Sequence, residues 1–283
     1  MKMRVLFLIS CFYFFGCKNE TKTDVDSEET AQQVGDVMAS IDEAGGATGS
    51  IAQINNSIQK TFARYAPREI ENLNPKASFF IPTAEAASCA AGNAGFSSCN
   101  SNAKVRTFAG RTIGAATMSG DGTLQWAGGT NCSLGTSPGS TLTRVPNYSA
   151  TGLRNAVLSV SKTGTVGQRL TLTAVSPMTF TFTNDGIKRK FTSGNNTVLF
   201  EQTSTVTSAI TITGADRSNR VINGGNLRVA DNLNLSTCDF TPTNVTWNST
   251  TCNCPTQGSW SGTCSDGTTT TLQLEPLPIN LLF

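Results

Sequence analysis

Apolar positions along this chain change their spacing twice, and the three regimes predict three kinds of structure. Val5 to Phe15 is an almost unbroken apolar run near the start. Further on, Val34, Val37, Met38 and Ile41 recur at i, i+3, i+4 and i+7, Gly45-Gly46 interrupts, and Ile51, Ile54, Ile58, Phe62 and Tyr65 continue on one face. That spacing predicts two amphipathic helices within residues 31–66. Thr48 or Ser50 is placed to cap the second, and Pro67 to end it. Their apolar stripes need a partner. Packing against the chain's own β body is expected, with self-association into a short helical bundle as the alternative.

From about Ser101 the helical period vanishes and Thr, Ser, Gly, Val and Asn dominate. Met178-Thr179-Phe180-Thr181-Phe182-Thr183 and Ala209-Ile210-Thr211-Ile212-Thr213 put apolar groups on one face and hydroxyls on the other. Asp121-Gly122, Asp185-Gly186, Asn223-Gly224 and Asp266-Gly267 are tight-turn dipeptides. Short alternating strands at this turn density predict a mainly β chain, an antiparallel β-sandwich-like domain over 101–283. Residues 67–100 read as a linker with one disulfide.

Lys2 and Arg4 open the leading apolar run, and Gly16 and Cys17 close it. A positive start, an apolar core of secretory length and a small residue at the cut make an export signal. Phe14-Phe15-Gly16-Cys17 resembles the lipobox of bacterial lipoproteins, which implies cleavage after Gly16 and a diacylglyceryl group on the Cys17 sulfur. Acyl chains, at ~0.8 kcal/mol per buried CH₂, would then hold the chain on a bilayer. The run is shorter than the ~20 residues that span one. Leu8-Ile9-Ser10-Cys11 is a competing box, with Cys11 as the alternative acylated residue. By the same resemblance, Lys18 in place of an aspartate implies an outer-membrane home, on either its periplasmic or its surface face. Residues 17–30 are polar and acidic and are expected to be a lipidated flexible stalk.

Charge changes this picture little. The 21 basic residues fall to 19 without Lys2 and Arg4, against 19 acidic ones. Basic residues spread this thinly do not suit nucleic acid, which calls for clustered Lys and Arg with stacking aromatics. The tight cluster Lys188-Arg189-Lys190 is expected at a hairpin end. Histidine is absent from the chain, which removes the commonest general base and the commonest metal ligand.

Nine cysteines, two of them in the leader region, leave Cys89, Cys99, Cys132, Cys238, Cys252, Cys254 and Cys264 in the exported body. Outside the cytoplasm these read as disulfides. Cys89 with Cys99 and Cys254 with Cys264 bracket short loops and are expected as local bridges; a third would join two of Cys132, Cys238 and Cys252. A zinc site on Cys238, Cys252, Cys254 and Cys264 is the lesser reading, because Cys252-Asn253-Cys254 lacks the usual two-residue gap.

Candidate chemistry is sparse. Ser57-Ile58-Gln59-Lys60 and Lys162-Thr163-Gly164 match S-x-x-K and K-T-G of penicillin-binding proteins and β-lactamases, with Ser98-Cys99-Asn100 between them, but in a strand-rich context foreign to those enzymes. Asp185, Glu201, Asp216, Asp231 and Asp239 are the carboxylates available for glycoside hydrolysis, and most sit beside turn residues. Trp126, Trp247 and Trp260 are weak candidates for a sugar-binding face, with Trp247 and Trp260 expected in the core.

The reading that follows is a membrane-anchored envelope lipoprotein. It acts as a binding or surface-attachment module for a protein or glycan, without catalysis, cofactor or metal. The alternatives are a hydrolase acting on cell-wall or surface polymers, and a structural protein that oligomerises through residues 31–66.

Overall fold

The computed structural model describes residues 27–44, 49–65, 96–108, 110–152, 154–215, 217–247 and 255–274. Two helices come first, α1 (Ser27–Ala44) and α2 (Gly49–Tyr65). The strands are β1 (Ala103–Thr107), β2 (Thr112–Ile113), β3 (Ala116–Ala127), β4 (Thr141–Thr151), β5 (Val157–Lys162), β6 (Gln168–Val175), β7 (Met178–Asn184) and β8 (Ile187–Thr192). They continue with β9 (Val198–Ser208), β10 (Ile210–Thr213), β11 (Val221–Asn223), β12 (Asn226–Asp231), β13 (Ser236–Trp247), β14 (Pro255–Cys264) and β15 (Thr269–Gln273). The expected antiparallel β body is present, as a 15-stranded sheet in which every pairing is antiparallel.

That sheet closes on itself. Along one edge β4 pairs with β3 over its whole length, while its other edge meets β6 through Thr141–Arg144 and β5 through Asn147–Thr151. β13 behaves the same way, with β14 on one edge and β12 and then β11 on the other. The pairings run β4-β5-β8-β9-β12-β13-β11-β10-β7-β6 and back to β4, a ring of ten strands. Closure leaves none of these ten with a bare edge along the ring, a solution to the exposure of unpaired N–H and C=O groups.

α1 lies inside this ring. Its described side chains from Glu29 to Met38, and Ile41, are buried or half-buried, and none is exposed. Val34, Val37 and Ile41 join one core cluster with Leu172, Phe180 and Ile210 on one side and Val229, Phe240 and Trp260 on the other. α2 packs beside α1. Ile58 and Phe62 insert among Met118, Leu158, Phe191 and Phe200, with Phe62 meeting Phe191 edge-on at 5.2 Å. Gln59, Lys60 and Arg64 are exposed. The helices therefore pack on their own β body, and among the described side chains only α2 shows the solvent-facing side that the sequence pattern implies for both. α1 also starts earlier than expected, at Ser27 within the proposed stalk, because Glu29 is buried against a cation of the β body.

Three further expectations change. Asp121-Gly122 is not a turn: it lies inside β3, where Asp121 sits opposite Thr107 and Asn147, next to Gly120 at φ +86°. Lys188-Arg189-Lys190 is not at a hairpin end but within β8. The bridges are Cys99–Cys132 and Cys238–Cys264, not Cys89–Cys99 and Cys254–Cys264. Register decides the second, since β13 and β14 set Cys238 directly opposite Cys264. Cys89, Cys252 and Cys254 lie outside the described residues, as do Cys11, Cys17 and Asp216.

Candidate functional site

Alternation along β8 turns Ile187, Arg189 and Phe191 inward and Lys188 and Lys190 outward. A row of paired residues then crosses the inner face: Tyr148, Val160, Arg189, Gln202, Asp231 and Ser236, all buried. Arg189 is the centre of this row and is fully buried. Both helices close over it. Its Nη1 lies 3.3 Å from Glu29 Oε2, and its Nε 3.8 Å from Asp36 Oδ2. Its Nη2 donates to Gln32 Oε1 at 2.8 Å, Ser57 Oγ at 2.7 Å and Thr61 Oγ1 at 3.3 Å.

The electrostatics follow from burial. Desolvation holds the Asp36 carboxyl above the usual carboxylate range, and Arg189 and Arg144 offset only part of that. Burial likewise pushes the Tyr148 phenol above its ordinary range, with the Asp36 charge adding to the effect. A buried guanidinium shared by two carboxylates and three neutral oxygens is a lock between helices and strands. Ser57 donates to Gln32 Oε1 at 3.0 Å while accepting from Arg189, so its hydroxyl is engaged and buried, whereas Lys60 is exposed. Lys162 of the K-T-G match donates to the Thr165 carbonyl at 2.8 Å.

The outward face has a different chemistry, that of hydroxyls. Across β4, β6, β7, β10 and β11 the register sets Thr141, Thr171, Thr181, Thr211 and Asn223 side by side. Thr179 and Thr213 are paired in a flanking row, and Thr183 faces Arg169 in the other. On the far side of the ring, Thr241, Ser261 and Thr271 form an exposed row over β13, β14 and β15. Charges there are paired locally. Glu201 takes Lys188 at 3.1 Å and Lys190 at 3.5 Å, and Asp239 takes both Arg228 Nε and Nη2 at 2.8 Å.

The remaining candidates separate into scaffold roles. Trp260 is fully buried, and Trp247 and Trp126 nearly so, which leaves no indole face for a sugar among the described residues. Trp260 and Trp247 share the core cluster of Cys238 and Cys264, and Trp126 shares one with Cys132. Asp185 accepts from the backbone N–H of Val166 at 2.6 Å and of Gly167 at 2.7 Å. Burial pushes its carboxyl up, and those bonds with the Thr165 contacts bring it below the usual range. Asp231 caps the turn after β12 through the N–H groups of Leu233 and Asn234. With Cys238 and Cys264 joined to each other, the four-thiol zinc set is not available; no cluster of three or more His, Cys, Asp or Glu stands together among the described residues.

Two features escape a sequence reading. Arg189 carries a signal in hindsight, because it occupies the apolar parity between Ile187 and Phe191. The threonine rows carry one in the repeated Thr-x-Thr of β4, β6, β7 and β10, whose alignment depends on register. No family model matches this chain, and neither a curated protein nor a solved structure is similar to it.

Proposed function

We propose that this chain is a membrane-anchored envelope lipoprotein whose β body is a binding or surface-attachment module without catalysis. In this reading Cys17 is acylated, the outer membrane holds the lipid, and a protein or glycan is met by the outside of the β body. The way β4 and β13 change partners midway supports a sandwich-type body above the stalk. One observation carries the proposal. The strongly charged interior centre at Arg189 is consumed by the chain's own helices, whereas the outward rows carry hydroxyls, half-buried over β4, β6, β7 and β10 and exposed over β13, β14 and β15. Recognition through many small contacts on a preorganised sheet suits attachment better than turnover.

The test has two arms. Metabolic labelling with a palmitate analogue is expected to mark the chain, and Cys17→Ala to remove the label and free the protein from the membrane fraction. The delipidated mature chain, fluorescently tagged, is expected to bind at least one surface in a panel of glycan arrays and intact cells, with saturation. Absence of saturable binding to every surface overturns the attachment reading, and a label that survives Cys17→Ala overturns the anchor.

A further inference from the structure

We propose that the threonine face of β4, β6, β7 and β10 binds ordered water, the surface lattice of ice. The inference rests on the attachment reading in placing a binding patch on the outer surface, and it adds a ligand beyond the protein or glycan of that reading.

The central row is Thr141, Thr171, Thr181 and Thr211, each paired in register with the next. Thr179 and Thr213 repeat the arrangement one step along the strands. Neighbouring strands lie ~4.8 Å apart and alternate residues of one strand ~6.8 Å apart, so the patch is a two-dimensional grid. The hydroxyls of Thr141, Thr171, Thr181, Thr211 and Thr213 make no hydrogen bond to protein among the described residues. Each one both donates and accepts, so it matches a lattice water of either orientation. A lysine or carboxylate has no such freedom.

The rest of the patch points the same way. Among its described residues the one charged side chain is Arg169 at the rim, whose Nε donates to Thr143 Oγ1 at 3.3 Å. A charged ligand finds no counter-charge array. A sugar finds no aromatic platform, because the described tryptophans are buried. Threonine has restricted χ1 freedom on a strand. Beneath it Leu170, Leu172, Phe180, Phe182, Ile210 and Ile212 form a packed floor. Ordering entropy at this face is therefore largely spent on folding, and the Thr methyl groups displace liquid water while the hydroxyls hold fixed water.

The experiment is ice-affinity partition of the full mature chain during slow freezing, with ice-recrystallisation inhibition as a second readout. The wild-type chain is expected to be enriched several-fold in the ice over the liquid. Thr181→Tyr and Thr211→Tyr place a bulky ring on the central row and are expected to lower that enrichment at least tenfold, with unchanged circular dichroism. Thr241→Tyr, on the opposite row of β13, is expected to leave it intact. Exclusion of the wild-type chain from ice overturns the proposal, as does equal loss in Thr241→Tyr. Retention on crystalline cellulose or chitin without ice enrichment overturns it too, and assigns the patch to a polysaccharide while the attachment reading stands. Failure on ice, on polysaccharide and on every surface of the attachment panel removes both.

Discussion

Arg189 shows how far one residue's environment can depart from its sequence neighbourhood. It is flanked by two lysines, and the three together look like a solvated basic cluster. Strand parity splits them, sending Lys188 and Lys190 to Glu201 outside and Arg189 to Glu29, Asp36 and Gln32 inside. A buried ion pair adds little net stability compared with an apolar substitute, but removing one partner strands the other in low dielectric. Arg189→Met is therefore expected to cost about 3–5 kcal/mol, read as a fall in the urea midpoint. Adding Glu29→Gln and Asp36→Asn to Arg189→Met should recover part of that loss, as a multiple-mutant cycle would record. A loss below about 1 kcal/mol in Arg189→Met, the level of a surface pair, would show that the lock contributes little.

Among the elements, the alternating segments were the most legible. Thr179 to Thr183 and Ile210 to Thr213 show their faces directly, and they become the adjacent strands β7 and β10. Three of the four turn dipeptides are legible as breaks but not as topology, and Asp121-Gly122 lies within β3. Asp266-Gly267 makes a true hairpin between β14 and β15, whereas Asp185-Gly186 and Asn223-Gly224 join strands that do not pair with each other. Period and turn residues are local quantities. The partner of a strand is not, which is also why proximity along the chain points Cys264 to Cys254 whereas the ladder joins it to Cys238. Asp185 stabilises its crossing by clamping the Thr165–Gly167 loop. Its folded-state carboxyl is lowered, so its contribution is present above the unfolded pKa and lost as pH falls through the folded one. Asp185→Asn is expected to weaken the chain at neutral pH and to flatten the acid limb of a stability-against-pH curve. Parallel curves for the two proteins would count against the clamp.

At the scale of the molecule, covalent bonds fasten strands outside the ring at two places: one ties β14 to β13, the other ties the segment before β1 to the connection between β3 and β4. Cys238–Cys264 closes a separation of 26 residues and Cys99–Cys132 one of 33. Loop-closure entropy for such lengths is worth about 3–4 kcal/mol each. Reduction is expected to lower the urea midpoint, and Cys99→Ser and Cys238→Ser to reproduce separate parts of the shift. A midpoint indifferent to reductant would mean that the bridges are not what steadies the body. The mainly antiparallel β character follows from composition and alternation. The closed pairing did not, since it depends on β4 and β13 each serving two partners along one edge.

Placing α1 within the ring has a consequence for how the chain is made. Gln32 and Arg189, which touch in the finished protein, are 157 residues apart in the sequence. The first of the described helices must wait for the last strands of the ring before anything encloses it, and such non-local closure is slow. A polypeptide closed around α1 stays threadable until β13 has been synthesised, a condition that the export proposed above also requires.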